Sequence, residues 1–297
     1  MISICIPIFN YDVRPLVSSL ARQAKEQNAE VEIVCIDDHS DAQFEAMNHG
    51  VGDVYVKLPK NVGRAAIRNL FLKHTKGEWL LFLDNDSIVN DCFLARYLVW
   101  LDKDTKVMVG GRIYDPKSDR PECHLRYRYG VEVESRNEKS RRKEPYRSFM
   151  TNNFLIHREV LQQIGFDERI NLYGHEDTLF GYRLEMAGIP ILHIDNAVVN
   201  GEVETNADFV NKSEEAVKSL VTIYGFMQGD ARFCQSVRLL RAYNSVCHWH
   251  LSGLVYAVFK LFYKPLRLLL VNGRCTSMAV FNFYKLGLFI KGVRYEK

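Results

Sequence analysis

The sequence has 297 residues, 47% of them hydrophobic and 25% charged, a globular composition with enough apolar material for a full-sized core. Its seven cysteines are odd in number, scattered and without a C-x-x-C pair, which argues against a disulfide framework or a cysteine zinc site and predicts a reduced compartment. The net charge of +3 hides an asymmetry: residues 232–297 carry eleven Lys/Arg and one acidic residue, Glu296, a net +10, so residues 1–231 stand at −7 and an anionic partner is expected at the C-terminal end.

Ile2–Ile8 is a continuous apolar, β-branched run that predicts a buried strand and, with no basic segment before it, no signal peptide. Leu16, Leu20 and Ala24 repeat at helical spacing and predict a helix over Arg14–Glu26. Val31–Ile36 reads as a second strand ending in Asp37-Asp38, Val54–Leu58 as a short third, and Ala65–His74 as a helix with Gly77 as its stop signal. Trp79–Leu83 is a strand running into Asp84-Asn85-Asp86, followed by a helix over Asp91–Leu101 and a strand over Val107–Ile113. Asp115–Arg147 is dense in both charge signs and poor in apolar periodicity, so a long surface loop or lid is expected. Order resumes at Thr151–Ile156; Glu176–Ala187 is a helix stopped by Gly188 and Pro190, Ile191–Val199 a strand, and Ala207–Phe226 a helix.

This alternation predicts an α/β fold, a mainly parallel central sheet flanked by helices on both faces, with right-handed crossovers. Such sheets bind ligands beyond the carboxyl ends of their strands. Polar residues sit at three of those ends: Asn10 and Tyr11, Asp37 and Asp38, Asp84 and Asp86.

The carboxylates of Asp84 and Asp86 leave one strand two residues apart and therefore toward one side. They repel unless a cation lies between them, and hard oxygen ligands suit Mg²⁺ or Mn²⁺ bridging to a diphosphate; the plainer alternative is a solvated acidic turn. Asp37 and Asp38 are placed either to accept from a base N–H or ribose hydroxyl, or to close a turn with Ser40 and Asp41. Asn61 is placed to cap the following helix, and Arg64 and Arg68 lie four apart on one face, as a diphosphate site or an exposed basic face. Glu176 and Asp177 open a helix, where the dipole favours acids; functionally, a carboxylate there is a general base for an attacking hydroxyl.

IPIFNY, VCIDDHS, NVGRAAIRN, LLFLDND, GFDE and YGHED, in this order over about residues 2–225, resemble a family 2 glycosyltransferase of the GT-A fold. The resemblance implies inverting transfer from a nucleotide-sugar, with UDP as the expected nucleotide. It implies that Pro7, Phe9, Asn10 and Tyr11 flank the base and that Asp38 or Asp37 binds it, with Asn61, Arg64, Arg68 and Asn85 along the nucleotide. Asp84 would contact ribose and metal, Asp86 would bind the Mn²⁺ or Mg²⁺, and Asp177 would be the base, with Glu176 as neighbour or substitute. The stretch from SFMTNNFLIHREVL to HIDNAVVNGEVE resembles a bacterial subset that extends cell-surface polysaccharides, which implies Thr151, Asn152 and Asn153 at the donor sugar or acceptor. Relatives often carry His where this chain has Asn200; the amide is a poorer ligand, and Asn200 is the third metal candidate.

The tail mixes aromatic and aliphatic residues with Lys and Arg in VCHWHLSGLVYAVFKLFYKPLRLLL and MAVFNFYKLGLFIKGVRYEK. No run approaches the ~20 apolar residues of a membrane span. Amphipathic helices are expected there, lying on an anionic membrane surface or packing on their own domain or a second copy of the chain. No nucleic-acid motif is present. The expected organisation is a domain over 1–226, with a nucleotide-binding half at 1–113 and an acceptor and catalytic half at 114–226, then a basic helical region at 227–297. The expected location is the cytoplasmic face of a membrane, with a saccharide or lipid-linked saccharide as acceptor. Two alternatives stand beside it. One is a non-catalytic nucleotide-sugar-binding scaffold, favoured by Asn200. The other is a sugar-phosphate nucleotidyltransferase, disfavoured because Ile6-Pro7-Ile8-Phe9-Asn10 lacks glycine.

Overall fold

The computed structural model describes residues 1–101, 103–227 and 229–295. The chain divides into two units: Met1–Tyr114, Glu134–Arg169 and Glu176–Glu202 make the first, and Asp115–Val133, Ile170–His175 and Val203–Lys297 the second. The division expected at 226 and 227 falls within the second unit, and Glu296 and Lys297, included in the tail's charge, lie outside the described residues.

In chain order the first unit opens with β1 (Ile2–Ile8), α1 (Arg14–Glu26), β2 (Val31–Asp37), α2 (Ala42–Asn48), β3 (Val54–Lys57), α3 (Gly63–His74) and β4 (Trp79–Leu83). Then follow β5 (Ser87–Ile88), α4 (Phe93–Leu98), β6 (Val107–Val109) and β7 (Arg112–Ile113). After α5 (His124–Tyr129), which belongs to the second unit, come α6 (Glu138–Arg142), β8 (Asn153–His157), α7 (Arg158–Ile164), α8 (Glu176–Met186), β9 (Leu192–His193) and β10 (Val198–Asn200). The main sheet has the order β3-β2-β1-β4-β8-β6-β9, and a smaller one the order β5-β10-β7. β3, β2, β1 and β4 are parallel, whereas β8 runs antiparallel to both β4 and β6. Apolar runs without alternation suit such strands because both faces are covered. Ile4, Ile8, Leu20, Phe93 and Tyr97 fill one side, and Phe71, Phe82, Phe154, Leu161 and Phe180 the other. β1 pairs with β2 along its whole length but with β4 only as far as Cys5. Pro7 lies beyond that point, where no β4 partner remains to need its missing N–H. The strand ends therefore part where the polar residues begin.

Three expectations are corrected. Val107–Ile113 is two strands in two sheets, because Gly111 turns at φ +92° and a Cβ there would stand 2.5 Å from the Arg141 guanidinium. Ile191–Val199 likewise divides into β9 and β10, with the Asn196 amide between them donating to the Phe93 carbonyl at 3.0 Å. The surface loop expected over Asp115–Arg147 is largely ordered. It holds a 3₁₀ turn at Pro116–Ser118, α5, a π-helical turn at Gly130–Glu134, and α6. Its charge density misled because part of the charge is interior: Arg126 and Arg141 are both buried, and Arg141 donates to the carbonyls of Gly110 (2.8 Å) and Ile194 (2.7 Å).

The second unit is helical, with α5 joined by α9 (Asn206–Phe226), α10 (Ala231–Ser236), α11 (Arg238–His248), α12 (Ser252–Val271) and α13 (Met278–Tyr295). Its core contains Leu125, Phe209, Phe259, Leu270, Phe281 and Tyr284. α12 and α13 approach closely at Gly287, where a Cβ would lie 2.1 Å from the Phe259 ring. Glu214 on α9 accepts from Tyr284 Oη (2.6 Å) and Arg267 Nε (2.9 Å). Among the described residues, no helix is long and apolar enough to cross a membrane.

Candidate active site

Asp38 leaves β2 and its carboxylate accepts from the backbone N–H of Val62 (2.7 Å) and Gly63 (3.2 Å), at the entry of α3. Asn61 Oδ1 accepts from the same Gly63 N–H at 3.1 Å. Gly63 has φ +83°, a turn that favours a residue without a Cβ. Burial raises the Asp38 carboxyl above its usual range in spite of the two N–H donors. α3 then carries Arg64, 45% exposed, and one turn later Arg68, only 2% exposed.

Arg68 joins two parts of the chain far apart in sequence. Its Nη2 donates to Asp84 Oδ1 at 3.3 Å, its Nη1 to Glu176 Oε1 at 3.3 Å, and the guanidinium lies 5.7 Å from the centre of the Phe166 ring. Arg64 Nη1 stands 3.9 Å from the same Glu176 oxygen. Asp84 receives a second guanidinium, with Arg112 Nη2 3.0 Å from Oδ2, and Arg112 continues to Glu134 at 3.7 Å. Tyr114 Oη donates to that Glu134 carboxylate. Burial alone would push Asp84 up, but the field of Arg64, Arg112 and Arg68 outweighs it and holds the carboxyl below its usual range. Asp86 shifts oppositely: burial and then the charge of Asp84 raise it.

The residues present were expected to hold a metal between Asp84 and Asp86, and the two carboxylates stand in different surroundings. Both Asp84 oxygens face guanidinium groups, whereas no ion pair among the described residues engages Asp86. No group of three or more His, Cys, Asp or Glu poised for a metal occurs among the described residues. A Mg²⁺-like ion needs only one or two carboxylates when phosphates and water complete its shell, so the donor set fits an ion carried by Asp86. The Gly201 N–H donates to the Asp86 carbonyl at 2.8 Å, and a Cβ on Gly201 would come within 2.4 Å of that oxygen. Asn200, buried, pairs with Ser87 in the small sheet, and its Nδ2 donates to the Glu202 carbonyl.

Glu176 and Asp177 begin α8 directly after Gly174 and His175, both with positive φ. Glu176 is 4% exposed and committed to Arg68. Asp177 Oδ1 accepts from the Thr178 N–H at 2.6 Å. Burial, then the charge of Glu176, push Asp177 up to about 6, against the Thr178 bonds and Arg68. Asn152, at the entrance of β8, accepts from the Asp84 N–H through its backbone carbonyl at 3.1 Å. Its side chain is 4% exposed, and neither amide atom has a hydrogen-bond partner among the described residues. Thr151 beside it is buried.

Several expected site residues have framework duties. Asn153 is fully buried, accepting from Tyr97 Oη (2.7 Å) and donating to the carbonyls of Gly111 (3.0 Å) and Asn196 (2.8 Å); its amide binds strands together. Asp37 is fully buried and accepts from the Ser40 N–H (2.7 Å) and Tyr55 Oη (2.9 Å), closing the turn. Asn10, at φ 48°, binds the Asp41 N–H through Oδ1 (2.7 Å), and Asn85 Nδ2 reaches the Phe9 carbonyl (3.3 Å). Phe9 is 50% exposed, Pro7 is half-buried, and Tyr11 is raised by burial and then by Asp86. Sequence reasoning missed Arg112, Tyr114 and Glu134. The available signal was a lone arginine following two glycines at the end of an apolar run.

The model of the family described as "Glycosyl transferase family 2" matches residues 3–165. The chain is 23% identical over 267 residues to the uncharacterized glycosyltransferase YfnE of Bacillus subtilis, covering 70% of this chain and 67% of that protein. Among solved structures it resembles the mannosyltransferase PcManGT from Pyrobaculum calidifontis in complex with GDP-Man and Mn²⁺. That likeness has TM-score 0.56 at 15% identity, over 100% of this chain and 87% of that one. It also resembles residues 1–349 of S. aureus TarS in complex with UDP-GlcNAc, with TM-score 0.51 at 19% identity, over 100% and 92% of the two chains.

Proposed function

Because the chain belongs to glycosyl transferase family 2 and has the GT-A fold, we propose that it transfers a sugar, with inversion, from a nucleotide-diphosphate sugar to a hydroxyl of a saccharide or lipid-linked saccharide. UDP is the proposed nucleotide, and cell-surface polysaccharide synthesis at the cytoplasmic face of a membrane the proposed setting. One observation carries the reading: the buried Arg68 ties the Asp84 strand end to the start of α8, so the nucleotide end and the proton acceptor share one cluster.

In this reading α3, anchored by Asp38 and Asn61, presents Arg64 to the diphosphate, while Phe9 and Tyr11 flank the base. Arg68 and Arg112 hold Asp84 ionised and fixed. A divalent ion on Asp86 would offset the charge of the departing diphosphate. Asn152 has an unpaired donor and acceptor in a buried place, which suits one sugar hydroxyl. Glu176 neutralises Arg68 and positions α8, leaving Asp177 to take the acceptor's proton. With its pKa near 6, Asp177 is mostly ionised at pH 7 yet basic enough to be useful.

Calorimetry of UDP and GDP binding, with Mn²⁺ and with chelator, tests the metal and nucleotide assignments. UDP should bind more tightly than GDP, and Mn²⁺ should tighten it in the native chain but not in Asp86→Asn. Equal affinity in all four conditions would overturn both assignments. Mass spectrometry of acceptors incubated with nucleotide sugars tests transfer itself; a binder that makes no product would be the scaffold instead.

A further inference from the structure

The second unit leaves a large apolar surface uncovered. Of seventeen exposed large hydrophobic residues among the described ones, eight lie within residues 249–269, far more than an even scatter would place there. Trp249 (69% exposed), Leu254 (63%) and Leu261 (74%) are the most open, and Val258, Phe262 and Leu268 accompany them. On α12, at 100° per residue, Leu254, Val258, Leu261 and Leu268 lie along one side, within an apolar arc roughly 140° wide. The opposite side carries Phe259 and Leu270, which are buried in the unit's core. α12 is thus apolar on two sides, and its folding partners cover only one. Pro265 falls within the uncovered arc. Along one edge of that arc stand Lys260 and Lys264, both exposed.

We propose that this face of α12 is a docking surface that lies in the interfacial layer of an anionic lipid bilayer. It deepens, and rests on, the proposed membrane setting of the transferase. Two features select a bilayer over a second copy of the chain. Between Arg232 and Tyr295 there is no Asp or Glu, so apposing two copies would bring like charges together without counter-charge. An arc edged with lysines, and with a tryptophan at its entry, has the layout of a helix lying flat in the headgroup region, where the apolar side sinks and cations meet phosphates. The helix itself does not satisfy the length and apolarity of a span, so it lies on the membrane.

Co-sedimentation of the full chain with vesicles tests this, using phosphatidylglycerol mixed with phosphatidylcholine against phosphatidylcholine alone. Native protein should pellet with the anionic vesicles and bind them less in high salt. The exposed double variant Leu254→Gln/Leu261→Gln should bind ~100-fold more weakly. Lys260→Gln/Lys264→Gln should bind ~30-fold more weakly and lose most of the salt dependence. Both variants should melt as the native chain does and keep full transfer to a soluble acceptor, because all four positions are exposed on a helix of the second unit. Native-like vesicle binding by both variants overturns the proposal. So does a native dimer that Leu254→Gln/Leu261→Gln converts to monomer, which would assign the face to a second copy. Vesicle binding without sugar transfer would instead fault the catalytic reading and leave the docking face standing.

Discussion

Asp177, the proposed base, is a carboxylate whose burial works against the fold. Its folded-state pKa of about 6 lies above that of an unfolded aspartate, so the native chain binds its proton more tightly. The benefit of that proton is complete below about pH 4 and disappears as pH rises through about 6, so at neutral pH the ionised side chain destabilises the fold. Asp177→Asn should therefore lower turnover on the order of 10²-fold or more while leaving nucleotide binding intact. The same variant should be more stable than the native chain by about 1–2 kcal/mol at pH 8, a gain that fades below pH 4. Paired melting curves at the two pH values, with steady-state rates, check both. A variant that retains native turnover would remove Asp177 from the base role. In the native chain, turnover should rise with pH through about 6 and then level.

At the scale of elements, the site is organised by what lies between strands. α3 links the Asp38 turn to the Asp84–Glu176 cluster through one buried arginine, and the division into β6 and β7 brings Arg112 to the other side of Asp84. That division depends on α6, whose Arg141 occupies the space beside Gly111 and serves two carbonyls. Removing Arg141 leaves those carbonyls without their donor. Arg141→Met should cost about 3 kcal/mol in urea unfolding and loosen the β6–β7 turn. A change within about 0.5 kcal/mol would mean that residues 134–147 behave as the surface loop their composition suggests.

At the scale of the molecule, the two units rest on different physics. The first has a sheet whose apolar strands are covered on both sides, and the second is a set of helices closed by aromatic contacts and one small residue. Gly287→Ala forces a methyl group into the Phe259 ring, an overpacking that should cost about 1–3 kcal/mol. Hydrogen exchange followed by mass spectrometry should show faster exchange in α12 and α13 and little change in β1, β2 and β4. Unchanged exchange in α12 and α13 would show that the two helices part to admit the methyl group without loss of packing.

Elements ruled by local pattern are legible in the residues themselves. β1, α1 and β4 have the bounds expected from their residues, because a continuous apolar run or a helical repeat leaves one favourable conformation once a core exists to receive it. The acidic strand ends and the GHED turn are visible for the same reason: they stand where apolar pattern stops. Their pairings are not. Arg68 meets Glu176 across 108 positions, Arg112 is hidden in what reads as a single strand, and Arg141 resembles its exposed neighbours. Sequence determined which residues are able to carry charge. Tertiary structure alone decided which charges are buried together, and so why Asp84 is held ionised while Asp86 and Asp177 are pushed up: pKa depends on desolvation and on neighbours brought close by the fold, not on neighbours in the chain.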